Sequence, residues 1–160
     1  METIYIETTI VGHLTGNLMS DPLVSARQQL TREWWQHHSP LYQLFVSQLV
    51  LEECGAGNAT LARERLNAIE TLDLLDGTED TDALAATLIA QNAIPATEPR
   101  DAFHIAIAAT NGVKYLLTWN FKHIANASLR AKIETVCRDS GFEPPIICTP
   151  EELLGNANDT

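Results

Sequence analysis

Short apolar runs alternate along this chain with longer stretches in which apolar residues recur every three or four positions. Ile4-Tyr5-Ile6, Leu44-Phe45-Val46, Tyr115-Leu116-Leu117 and Ile146-Ile147-Cys148 are β-prone runs, apolar on successive positions, as expected of strands buried on both faces. Between them the spacing predicts helices. Asp21 is a cap and Pro22 suits the first position of a helix to about Trp35, with Leu23, Ala26, Leu30 and Trp34 as its stripe. Ser47 caps a helix that carries Glu52, Glu53 and Cys54 and stops near Gly55 or Gly57. Asn58 caps the next, with Leu61, Leu66, Ile69 and Leu72 inward, before a short apolar piece, Leu74-Leu75, that Gly77 breaks. Ala83–Ala90 reads as another helix, ending before Pro95. Thr97 and Pro99 open the most apolar helix, Phe103 to Thr110, which Gly112 closes. A last helix from about Ser128 to Arg138 precedes the final strand, and residues 153–160 read as a polar tail to a single domain of residues 1–152.

Strands that alternate with helices imply an α/β fold with a mostly parallel sheet covered on both faces. In such sheets, sites form outside the carboxyl ends of the strands, so the polar residues that follow each strand carry the functional signal. Glu7 follows the first strand directly, with Thr8 and Thr9 behind it. Glu53 lies on the helix after the second strand, and Thr118 and Asn120 follow the strand of Tyr115 to Leu117. Asp101 stands in the first turn of the most apolar helix, where the helix dipole favours a carboxylate by about 0.3–1 kcal/mol. Each alone is also an ordinary cap, turn or solvated helix residue. Their joint placement is the stronger signal.

Those segments resemble the PIN-domain family, which includes the VapC-type toxins of bacterial toxin–antitoxin systems. The resemblance rests on Tyr5-Ile6-Glu7-Thr8-Thr9, on Ser47 through Glu53, on Asp101-Ala102-Phe103-His104-Ile105-Ala106-Ile107-Ala108, and on Leu116-Leu117-Thr118-Trp119-Asn120-Phe121. It implies a three-layer α/β/α fold and a metal-dependent ribonuclease, a hydrolase of phosphodiesters, plausibly paired with an antitoxin protein and forming a homodimer. The family's acidic residues fall on Glu7, on Glu53 rather than Glu52, and on Asp101, which the resemblance makes ligands of Mg²⁺ or Mn²⁺. Its Thr-x-Asp step falls on Thr118-Trp119-Asn120. Glu7 stands where Asp is usual, one methylene longer, and Asn120 stands where a fourth carboxylate is common. Three carboxylates suffice for one such ion, which keeps several waters. Thr8, Thr9 and Thr118 are placed to orient the carboxylates or the attacking water. Lys122 and His123 follow Asn120 and are candidates for contact with the phosphates of an RNA substrate. His104 shares the helix face of Asp101 and is expected to be a hydrogen-bonded structural residue.

Composition tempers this reading more than it extends it. A chain of 160 residues with 45% hydrophobic content buries enough surface, roughly 68–70% for this size, to fold without disulfides or a structural metal. Cys54, Cys137 and Cys148 are widely spaced and odd in number, as expected of buried free thiols. The first apolar stretch contains Glu2 and Glu7, unlike a signal peptide, and no run approaches the ~20 apolar residues of a membrane span, so a cytoplasmic protein is expected. The formal charge of −11 disfavours tight non-specific binding to nucleic acid, although a bound cation reverses the sign locally. That charge, with Glu7 and Asn120, motivates a competing expectation: a catalytically weakened PIN-like module that binds RNA or a protein partner. Trp34 and Trp35 are adjacent, so only one of them can anchor the core of its helix.

Overall fold

A computed structural model describes residues 1–157. Five strands, β1 (Thr3–Ile6), β2 (Gln43–Val46), β3 (Asp73–Leu74), β4 (Tyr115–Leu117) and β5 (Ile146–Cys148), form one sheet in the order β3-β2-β1-β4-β5. Every pairing is parallel. The register sets Tyr5 of β1 against Phe45 on one side and Leu116 on the other, and Ile6 against Leu117. Ile4, Tyr5 and Ile6 are fully buried, which accounts for the unbroken apolar run in the sequence.

Among the described residues eight α-helices cover the sheet: α1 (Thr8–Leu14), α2 (Pro22–His37), α3 (Gln48–Cys54), α4 (Ala59–Ile69), α5 (Glu79–Ala90), α6 (Pro99–Thr110), α7 (Ala127–Asp139) and α8 (Pro150–Ala157). They pack in two groups, α1 with α2, α3 and α4 and α2 with α8 on one side, and α5 with α6 and α7 on the other. The architecture is a three-layer α/β/α sandwich. The expected caps operate: Asp21 accepts from the amides of Leu23 and Val24, Ser47 from Val50, and Asn58 from Thr60 and Leu61.

Three elements differ from the sequence reading. The short edge strand β3 begins one residue before the Leu74-Leu75 piece, with Asp73 and Leu74 paired to Phe45 and Val46. Helix α1 went unread because Ile10 and Val11 are adjacent rather than helically spaced, and because its cap is Glu7, outside the usual set of cap residues. Helix α8 spans the position after residue 152, and its Leu153 is buried in the core. The reason is that Leu153-Leu154 gives the terminal segment an apolar face to pack; residues 158–160 of the expected tail lie outside the described residues.

Trp34 is fully buried and makes aromatic contact with Tyr42 and Trp35, while Trp35 packs half-buried at the edge of the same core. All three cysteines are free and buried, and burial pushes their thiols up, to about 11 for Cys54 and Cys137 and about 12 for Cys148, so they are inert. No helix among the described residues is long and apolar enough to cross a membrane.

Candidate functional site

The chain leaves β1 toward β2 on one side, and β4 lies on the other side with its own connection running outward to β5. The carboxyl ends of β1 and β4 therefore flank the point where the sheet's winding reverses, the usual ligand crevice of a doubly wound sheet. Glu7 and Thr118 are the first residues beyond those two strands, locked together by the Glu7 amide donating to the Leu117 carbonyl at 3.1 Å.

From this point hydrogen bonds, joined through the backbone at Glu7-Thr8 and through α6, run in a circuit through the expected residues. Glu7, only 3% exposed, receives the Thr9 amide at 3.0–3.1 Å on its two oxygens, the Thr9 hydroxyl at 2.6 Å and the Thr118 hydroxyl at 2.9 Å. The Asn120 amide donates to the Thr118 hydroxyl oxygen at 2.9 Å, and the Asn120 side chain donates to Asp101 Oδ1 at 3.2 Å. On the other side the Thr8 hydroxyl donates to Glu53 Oε1 at 2.7 Å, and His104 Nε2 meets the same oxygen at 2.7 Å. Asp101 and His104 lie one turn apart on α6, which closes the circuit. Four segments far apart in sequence thus deliver Glu7, Glu53, Asp101 and Asn120 to one crevice, and the three threonines are the struts between them. Glu52, the neighbour of Glu53, is exposed and lines a cleft of about 400 Å³ with Gln48, Leu49, Pro99, Arg100 and Phe103.

His123 is drawn in as well, its Nδ1 2.9 Å from Asp101 Oδ2. Lys122 stays exposed beside it. Glu98, which the sequence reading passed over, joins them: ligand atoms of Glu98, Asp101 and His123 all lie within 4.8 Å of one another. Its only signals were its place three residues before Asp101 and just before the helix-opening Pro99. Glu7, Glu53 and Asp101 do not form so tight a trio among the described residues, because Glu7 is drawn down to cap α1 and Glu53 across to His104.

The electrostatics are those of carboxylates crowded out of water. Burial raises the pKa of Glu7, opposed by the nearby His104 imidazole and by its Thr9 and Thr118 donors. Burial likewise raises Asp101, opposed by His123 and Asn120. Burial pushes Glu53 up too, but the His104 and Thr8 hydrogen bonds, with help from Arg100, outweigh it and hold Glu53 below its ordinary value. Stability contributed by the raised groups, Glu7 and Asp101, is complete below the ordinary carboxylate pKa of about 4 and is lost as pH rises through their folded values. The contribution of Glu53 has the opposite sign and is lost only when pH falls through its lowered value. In chelator, acidification from neutral pH toward the ordinary carboxylate pKa of about 4 is therefore expected to raise the melting temperature, and to raise it less in Asp101→Asn. An equal rise in both proteins would remove Asp101 from this account.

No protein-family model matches the sequence, and no curated protein matches it at a significant level. Solved structures do match. A chain of VapBC2 from Rickettsia felis, in the crystal structure of that complex bound to a DNA fragment from their promoter, superposes with a TM-score of 0.59 at 13% identity, over 92% of this chain and 98% of the other. A chain of VapBC-1 from nontypeable Haemophilus influenzae gives 0.56 at 15% identity, over 93% and 98%. This chain has the PIN-like fold. At such low identity the likeness is one of fold, and the PIN-like domain must carry its chemistry on its own residues.

Those residues suit a hard divalent cation. Carboxylate oxygens from Glu98 and Asp101 make an oxygen-rich donor set for Mg²⁺ or Mn²⁺. The imidazole of His123 tilts the preference toward Mn²⁺.

Proposed function

We propose that this PIN-like domain is a Mg²⁺- or Mn²⁺-dependent endoribonuclease, the toxin of a toxin–antitoxin pair whose partner is an antitoxin protein. The observation that carries the reading is the circuit linking Glu7, Glu53, Asp101 and Asn120 at the carboxyl ends of β1 and β4. The partner assignment rests on the fold shared with chains of the two VapBC complexes.

Asp101, Glu98 and His123 would hold the cation, Glu53 would reach it with Oε2, and Glu7 would add negative charge to the crevice. The bound ion supplies a water of lowered pKa and polarises a phosphoryl oxygen. Thr8, Thr9 and Thr118 hold the carboxylates in place, since each donates its hydroxyl to one of them or accepts from the amide beside it. Exposed Lys122, next to His123, and Arg100, next to Asp101, are the side chains we assign to RNA phosphates, offsetting locally a chain charge of −11. Arg100 opens onto the cleft with Gln48 and Phe103, which provides both an anion contact and an apolar wall for a base.

Incubating the purified protein with Mn²⁺ and a panel of structured and single-stranded RNAs tests this reading. Endonucleolytic products that disappear in chelator are expected. Intact RNA throughout, or cleavage indifferent to chelator, counts against it.

A second reading has one specific support. Glu7 already satisfies four donor contacts, and the side chain opposite Asp101 is a neutral amide. Such a site suits a domain that binds RNA or a partner without efficient cleavage. Mn²⁺ uptake and RNA retention without products would favour it.

A further inference from the structure

Behind Glu53 a buried hydrogen-bonded chain runs through the core. The Val50 amide donates to Ser47 Oγ at 3.3 Å, Ser47 Oγ lies 2.8 Å from the Tyr5 hydroxyl, and that hydroxyl lies 2.7 Å from His104 Nδ1. His104 Nε2 then meets Glu53 Oε1 at 2.7 Å. Ser47 and Tyr5 are fully buried and His104 is 1% exposed, so no solvent relieves a mismatched donor.

The hydrogens can be counted. An ionised carboxylate offers none, so Nε2 must carry the proton in the contact with Glu53. If Nδ1 accepts, the Tyr5 hydroxyl donates to it and the Ser47 hydroxyl donates to the Tyr5 oxygen, so every hydrogen is used. If Nδ1 donates instead, Tyr5 must donate to Ser47, and the Ser47 hydroxyl hydrogen is left inside the core without an acceptor among the described residues. A buried unsatisfied donor is costly. The chain therefore closes in one direction only.

We infer that His104 is a positioning residue for Glu53: Tyr5 and Ser47 hold its ring in the Nε2–H form, which pins Glu53 Oε1 and leaves Oε2 as the oxygen presented to the crevice. Thr8 grips the same Oε1 from the other side, so two donors fix one oxygen and the second is free. Tyr5 lies in the central strand and Ser47 caps α3, so the rigid sheet itself sets the direction of a side chain on the neighbouring helix. The inference rests on the nuclease reading only for what Glu53 is positioned to do.

Two measurements test it. In the metal-free protein, nitrogen NMR of the histidine rings is expected to show His104 protonated at Nε2 and not at Nδ1; a proton on Nδ1 overturns the inference. Next, Mn²⁺ affinity is compared by calorimetry in His104→Gln, whose terminal amide nitrogen can replace the Nε2 donor, and in His104→Asn, which reaches only the Nδ1 position. The Asn variant is expected to bind about 10–100-fold more weakly, the usual cost of losing a partner that orients a ligand, while the Gln variant stays within a few-fold of wild type. Equal affinity in wild type and the Asn variant, or equal losses in both variants, overturns it. A wild type that takes up no Mn²⁺ removes the nuclease reading instead, and the ring NMR then decides the placement of His104 by itself.

Discussion

Replacing Asp101 with Asn is expected to lower Mn²⁺-dependent RNA cleavage on the order of 10³-fold, about 4 kcal/mol of transition-state stabilisation. Asp101 is where the two halves of the site meet: its Oδ1 takes the Asn120 amide, its Oδ2 faces His123, and Glu98 lies within the same 4.8 Å group. The substitution keeps shape and one acceptor oxygen but removes the charge that would hold the cation. Folding is expected to survive, because burial already works against the ionised form of Asp101. Initial rates on a fluorogenic RNA, with melting temperatures recorded alongside, separate the two effects. A loss of less than about tenfold would mean that Asp101 is only a helix N-terminal charge.

The largest stability effect is expected at Trp34. Its side chain is fully buried between α2 and its neighbours, against Tyr42 and Trp35. Trp34→Ala should cost about 3–5 kcal/mol through lost contacts and the cavity left behind. At about 2–4 °C per kcal/mol for a domain of this size, the melting temperature falls by roughly 6–20 °C. Trp34→Phe should be far milder, because the indole Nε1 has no hydrogen-bond partner among the described residues and its removal relieves an unsatisfied buried donor. Thermal denaturation followed by circular dichroism distinguishes these outcomes. Equal losses in both variants would show that the indole nitrogen is satisfied after all.

The sheet was legible in the sequence because its central strands are buried on both faces, and burial leaves an apolar run that needs no partner to be recognised. The caps at Asp21, Ser47 and Asn58 were legible because each side chain satisfies amides only two or three residues away. Helix α1 was not, because its apolar pair is adjacent and its cap is Glu7, and neither was the packing of Leu153, which depends on a core supplied by distant segments. The same division runs through the site. Glu7, Glu53, Asp101 and Asn120 could be named from their places after strands and at helix starts. What the sequence concealed was how each is already engaged: Glu7 as a cap, Glu53 on His104, Asp101 on His123, and Glu98 as a third member beside it. Those engagements join residues separated by tens of positions, and no local spacing reports them. Tyr5 reads as an ordinary core residue for the same reason, since its hydroxyl matters only through Ser47 and His104.

Calorimetric titration of Mn²⁺ into metal-stripped protein at neutral pH tests most directly whether these acidic residues gather around a cation. Saturable binding of about one ion per chain is predicted, and its loss in Asp101→Asn. The absence of binding, or an unchanged isotherm in Asp101→Asn, would contradict the account.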